Sequence, residues 1–161
     1  MKLAESCVRE LKKRGMSLSV AESCTGGMIA DEIVGVPGVS DVFYAGYVTY
    51  TNQAKMRDLS VSREILDTDG AVSAACARAM ALGARKRAGT DVALSSTGFA
   101  GPLQKGSSDP VGLVFLSCCI GTKIITRKFR FSGSRYQIRR LATQQAFLLL
   151  SDALAHAEDF Q

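Results

Sequence analysis

Histidine is almost missing from this sequence, which has a single one, His156, in 161 residues. No CxxC pair and no His/Cys grouping at metal-ligand spacing occurs, so neither a metal nor a cofactor is expected. The imidazole that usually activates a serine or cysteine is also out of reach, because His156 falls near the C-terminus, far from every motif. Long apolar runs are lacking as well. No stretch approaches the ~18 apolar residues of a membrane span, and Met1-Lys2-Leu3-Ala4-Glu5 opens without an uninterrupted apolar segment. A secreted or membrane-spanning chain is therefore not expected, and a cytoplasmic one is. The cysteines do not form an even set: five stand at 7, 24, 76, 118 and 119, and the adjacent Cys118 and Cys119 are badly placed to bridge. They read as reduced thiols, mostly small core residues. Internal repeats, low-complexity tracts and linkers are absent too.

What is present suits one compact domain with a substantial core, since 47% of the 161 residues are hydrophobic. The net charge of +5 favours an anionic small molecule or a weak attraction to nucleic acid, although ordinary proteins carry as much. Nucleic acid is not an expected partner.

The chain is organised around Val20-Ala21-Glu22-Ser23-Cys24-Thr25-Gly26-Gly27. Leu18 to Val20 has the short apolar character of a buried strand, and Met28, Ile29, Ile33 and Val34 suit an apolar helix face. Between them stand two hydroxyls, a thiol and two glycines that allow the backbone to approach a ligand. A strand-to-helix turn aims the first free N–H groups of its helix at the crevice, which favours an anion or a developing oxyanion. An active-site turn is expected here. The plainer alternative is a Ser/Thr-capped helix start with a tight Gly-Gly turn.

Along the chain, Leu3, Cys7, Val8 and Leu11 predict a first helix that stops at Gly15. The strand, the Ser23 turn and a helix ending near Gly35 follow, and Val36-Pro37-Gly38 cannot continue that helix. Val42 to Tyr50 is β-branched and aromatic and predicts a strand. Asn52 is placed to cap a short helix carrying Ala54, Lys55, Met56 and Leu59, and Ser62 to cap a turn through Leu66. Gly70 and Ser73 introduce an alanine-rich helix from Ala74 to Arg87, and Val92 to Ser95 is a buried strand. Gly98 to Pro110 is the one long loop. Strands at Val111–Ile120 and Lys123–Phe131 flank a Gly121-Thr122 turn. Ser134 caps a final helix whose inner stripe is Ile138, Ala142, Ala146, Leu149 and Ala153. Helices alternate with strands and a hairpin comes late, which predicts a single-domain α/β fold: a three-layer α/β/α sandwich with a mixed sheet.

Ligands of open α/β sheets bind outside the carboxyl ends of strands. Three polar segments follow predicted strands: the Ser23 turn, Tyr50 to Lys55, and Thr97 to Pro102. A serine hydroxyl needs a base, and without histidine a desolvated lysine in its neutral form can serve. Lys55 is the candidate, with Tyr50 placed to relay the proton or orient the amine. The alternatives are a solvated helix lysine and an ordinary strand aromatic. Cys24, with no partner to hold a thiolate, reads as a packing residue beside Ser23. Arg135, Arg139 and Arg140 oppose the dipole at a helix start, a placement that an anion shared with the helix N-terminus would explain. A solvated basic face, or salt bridges elsewhere, would explain it too.

Ala21-Glu22-Ser23-Cys24-Thr25-Gly26-Gly27, Tyr47 through Lys55, Gly70-Ala71-Val72-Ser73, Ser96-Thr97-Gly98-Phe99-Ala100-Gly101-Pro102 and Pro110-Val111-Gly112 stand in the order seen in the CinA C-terminal-domain family. The chain resembles a stand-alone form of that domain over nearly its whole length, as one domain spanning 1–161. The resemblance implies an amidohydrolase that deamidates nicotinamide mononucleotide to nicotinate mononucleotide and ammonia, without metal, as a homo-oligomer. Family roles map to Ser23 as nucleophile with Tyr50 and Lys55 as activating partners. Thr25, Gly26, Gly27, Thr97, Gly98 and an arginine of the last helix, Arg139 or Arg140, stand as the substrate-binding set. After Gly101-Pro102 the family usually carries an acidic or small residue and a Gly-Gly pair. Leu103-Gln104-Lys105 stands there instead, with Gly106 one place later, a departure in a loop for which the resemblance implies substrate contacts. The other reading is a nucleotide-binding or interaction module that kept the fold and lost the chemistry.

Overall fold

The computed structural model describes residues 2–156. The domain expected over 1–161 reaches beyond them at residue 1 and at 157–161, which lie outside the described residues. In chain order the elements are α1 (Lys2–Arg14), β1 (Leu18–Glu22), α2 (Met28–Val34), a single 3-10 turn (Val39–Asp41), β2 (Phe43–Val48), α3 (Asn52–Leu59), α4 (Arg63–Thr68), α5 (Ala74–Ala88), β3 (Val92–Gly98), β4 (Leu113–Ile120), β5 (Lys123–Arg130) and α6 (Arg135–Ala155). No helix among the described residues is long and apolar enough to cross a membrane.

The five strands make one sheet in the order β2-β1-β3-β4-β5. β1 lies parallel to β2 and to β3, whereas β3–β4 and β4–β5 are antiparallel. β1 is buried along its whole length, so its alternate residues feed two cores. Leu18 and Val20 enter the core under α1, α2 and α6, while Ala21 enters the one under α3 and α5. β3 repeats the pattern, with Val92 and Leu94 on the first side and Ala93 on the second. The sheet is mixed and covered by helices on both faces, a three-layer α/β/α arrangement.

Several boundaries differ from the sequence expectation. β2 ends at Val48 rather than Tyr50, so Thr49 and Tyr50 leave the strand and their carbonyls become free for a side chain. β3 runs to Gly98 rather than Ser95, because β4 goes on pairing with it through Thr97–Phe115 and Gly98–Val114. The cap of α3 is Thr51, not Asn52: Ala54 donates its N–H to Thr51 Oγ1 at 3.1 Å. The Ser134 cap and the inner stripe of α6 stand as expected, with Gln137 completing a capping box.

Candidate active site

Glu22 is the last residue of β1 and is 1% exposed. Its Oε2 accepts from the Thr25 hydroxyl at 2.6 Å, from Gly27 N–H at 3.0 Å and from Ile29 N–H at 3.1 Å. Its Oε1 accepts from Ala30 N–H at 2.9 Å. The orphan amides at the start of α2, expected to face a ligand, are therefore closed by the chain's own carboxylate. That is a correction, and the signal was an acidic residue ending an otherwise uncharged strand.

From the other side, Arg139 donates from Nε to Cys24 O at 3.0 Å and from Nη2 to Thr25 O at 2.7 Å. The turn is thus held by its amides through Glu22 and by its carbonyls through Arg139. Gly26 is required where the guanidinium crosses: its φ is +59°, and a Cβ there would lie 3.2 Å from Arg139 Nη2. Glu22→Gln should lower stability by about 2 kcal/mol, because an amide nitrogen in either carboxylate position would face at least one backbone N–H, which can only donate. Thermal unfolding of the variant beside the parent checks this, with a Tm drop of roughly 4–8 °C expected.

The geometry around Lys55 is the centre of the site. Its side chain is 1% exposed, and Thr51 opens the helix that carries it inward. Lys55 Nζ lies 2.8 Å from Thr49 O, 3.4 Å from Tyr50 O and 3.1 Å from Ser23 Oγ. The two carbonyls that left β2 are its acceptors, and no carboxylate pairs with it among the described residues. Burial holds the amine below its ordinary 10.5, in the direction of the neutral form. A neutral amine has two N–H groups for the two carbonyls and one lone pair for the Ser23 hydroxyl. The solvated-lysine alternative is excluded by burial. Ser23 itself is 9% exposed and opens onto a chamber of 190 Å³ lined also by Cys24, Tyr50, Lys55, Ala71, Val72, Thr97, Gly98, Ala100 and Arg135.

The remaining expected site residues fall into two groups. Thr97 and Gly98 line the chamber, with the Thr97 hydroxyl donating to Ala71 O at 2.7 Å. The Tyr50 phenol accepts from Arg135 Nη2 at 2.9 Å, and only the Tyr50 carbonyl reaches Lys55. Thr25, Gly26 and Gly27 line neither this chamber nor the one beside it. The Thr25 hydroxyl is fully buried between Glu22 and Ser96 Oγ, each at 2.6 Å. Arg139 and Arg140, expected at the substrate, also line neither chamber. Arg139 supports the turn, and Arg140 pairs with Glu32 at 2.8 Å. Arg135 is the arginine of α6 that lines both chambers, and it also donates to Gly101 O. The Cys24 thiol is buried, and desolvation pushes it up to about 11, so it holds no thiolate near neutrality.

A second chamber of 490 Å³ adjoins the first and shares Tyr50, Gly98, Ala100 and Arg135 with it. Its own wall is the 99–111 loop, including Leu103 and Gln104 of the departure noted above, together with Asp109.

Residues 1–154 match a family model described as the CinA C-terminal domain. A CinA-like protein of Kosmotoga olearia is 45% identical over 152 residues, which make up 94% of this chain and 37% of that protein. One from Dictyoglomus thermophilum is 43% identical over the same share of each. The chain thus spans about a third of the length of the curated relatives it matches. Among solved structures, a CinA superfamily protein from Klebsiella pneumoniae superposes with a TM-score of 0.92 at 34% identity, covering 96% of this chain and 97% of that one. A competence/damage inducible protein from Agrobacterium tumefaciens gives 0.90 at 38% identity, covering 96% and 94%.

Proposed function

This chain belongs to the CinA C-terminal domain family, and we propose that it is a serine amidohydrolase that converts nicotinamide mononucleotide and water into nicotinate mononucleotide and ammonia. The observation that carries this reading is the buried Lys55 amine, with no carboxylate partner among the described residues and 3.1 Å from Ser23 Oγ. A base so placed activates a hydroxyl for acyl transfer and has no evident use in a binding module.

In the first step Ser23 Oγ attacks the carboxamide carbon while its proton passes to Lys55 Nζ. The carbonyl oxygen takes the electron pair. Collapse of the tetrahedral species breaks the C–N bond, and the leaving nitrogen takes the proton from Lys55 and departs as ammonia. A nicotinoyl ester remains on Ser23. Water then attacks it with Lys55 again as base, which releases the carboxylate and restores the serine.

The two chambers fit the two ends of this substrate. The inner one, at 190 Å³, suits a pyridine carboxamide, and the outer one, at 490 Å³, suits a ribose phosphate. We assign the phosphate to Arg135, the guanidinium that lines both. Arg135→Ala should raise KM for the mononucleotide roughly ten- to a hundredfold, as loss of a charged contact of roughly 1.5–3 kcal/mol requires. Steady-state kinetics on nicotinamide riboside, which has no phosphate, should move far less; equal changes on both substrates would remove Arg135 from that role. The reaction itself is tested by incubating the protein with the mononucleotide and measuring ammonia together with nicotinate mononucleotide. Absence of both products at micromolar enzyme would reject the reading.

A further inference from the structure

An acyl-transfer site needs donors for the oxygen that becomes negative, and most amides of the Ser23 turn are already committed. Ser23 N–H donates to Ser96 O, Gly26 N–H to Ser23 O and Met28 N–H to Thr25 O. Gly27, Ile29 and Ala30 donate to Glu22. The amides of Cys24 and Thr25 have no hydrogen-bond partner among the described residues; Thr25 lines neither chamber, and Cys24 offers a single donor beside Ser23.

Opposite the turn, the bend Gly70-Ala71-Val72-Ser73 brings Ala71 and Val72 into the wall of the inner chamber. Neither amide has a partner among the described residues. Tyr50 and Ala100 also have unpaired amides, but they line both chambers and so stand at the passage, whereas Ala71 and Val72 belong to the inner one alone. The bend is not free to drift. Thr97, 1% exposed at the end of β3, donates its hydroxyl to Ala71 O at 2.7 Å. That hydroxyl proton is thereby committed to the bend rather than to a ligand. On the far side Ser73 Oγ caps α5 through Cys76 N–H and donates to Gly70 O, which closes the bend on itself.

We propose that the backbone amides of Ala71 and Val72 form the oxyanion hole, and that Thr97 is a positioning residue that holds them against Ser23 through the Ala71 carbonyl. The proposal rests on the serine amidohydrolase reading. It makes Thr97 act on the transition state through the backbone rather than on the bound substrate.

The test uses Thr97→Val, Thr97→Ser and the amide-to-ester replacement of Val72, which deletes one N–H and keeps the side chain. Thr97→Val should lower kcat on the order of 100-fold with KM within about twofold, and Thr97→Ser should recover most of it. The ester at Val72 should lower kcat to a similar degree. The probe that needs no turnover is pyridine-3-carboxaldehyde. Ser23 Oγ bonds to its carbonyl carbon, the serine proton moves to Lys55, and the charge falls on the aldehyde oxygen. Its adduct should weaken by the same factor in Thr97→Val and in the ester, with unchanged melting curves showing that the fold is kept. An equally tight adduct in both would overturn this inference alone, as would a loss confined to KM. A normal adduct with no ammonia released from the mononucleotide would reject the substrate and leave the oxyanion hole standing. No adduct in the unmodified protein would overturn both.

Discussion

Ser23→Ala should abolish ammonia release, with a residual rate at least on the order of 10⁴ below the parent, while Cys24→Ala keeps most of the activity. The two side chains are neighbours, and a thiol is intrinsically the better nucleophile, so the outcome is decided by environment. Ser23 Oγ has the Lys55 amine 3.1 Å away and opens into the inner chamber. The Cys24 thiol is desolvated and pushed up to about 11. At pH 7 its thiolate fraction is on the order of 10⁻⁴, and a neutral lysine supplies no charge to raise it. Iodoacetamide, which needs a thiolate, should therefore inactivate slowly and incompletely. Rapid quench followed by peptide mass spectrometry locates the acyl group. An adduct on Cys24, or full activity in Ser23→Ala, would overturn the assignment.

Lys55→Met should lower kcat by a factor on the order of 100 or more with the fold intact. Lys55→Arg should not restore it, since a guanidinium stays protonated and cannot take the serine proton. In the parent, kcat/KM should rise with pH up to the lowered Lys55 value and then level off, because only the neutral amine is a base. That limb should vanish in Lys55→Met. The same amine makes a stability prediction with a definite sign. Its folded value lies below the 10.5 of the exposed group, so between the two the unfolded chain binds more protons. Lys55 therefore weakens the fold on the acid side of its lowered value, and the penalty is relieved as pH rises through that window. Denaturant titrations across pH, parent against Lys55→Met, should show a smaller pH-dependent rise in the variant. A parent profile flat across that range, or near-normal turnover by Lys55→Arg, would remove Lys55 from the base role.

The elements and the surroundings of Ser23 were legible in the sequence, because both are written in adjacent residues. The apolar run before Ser23, the glycines after it, the periodicity of α6 and the Ser134 cap all act within a turn or two of themselves. Strand ends were less legible, since pairing decides them: Thr97 and Gly98 stay in β3 because Phe115 and Val114 come from β4 to meet them. The division of labour among the polar residues was decided only by tertiary contact. Arg135, Arg139 and Arg140 look alike on a helix start, yet each meets a partner far away in sequence: Gly101 and Tyr50 for the first, the Ser23 turn for the second, Glu32 for the third. Only the first of these meetings leaves a guanidinium lining the chambers. Glu22 likewise closes the helix start that the Ser23 turn alone would have left open to a ligand. The Lys55 amine is driven toward its neutral form only because packing removes it from water, and desolvation depends on every atom around a group rather than on the residues beside it in the chain.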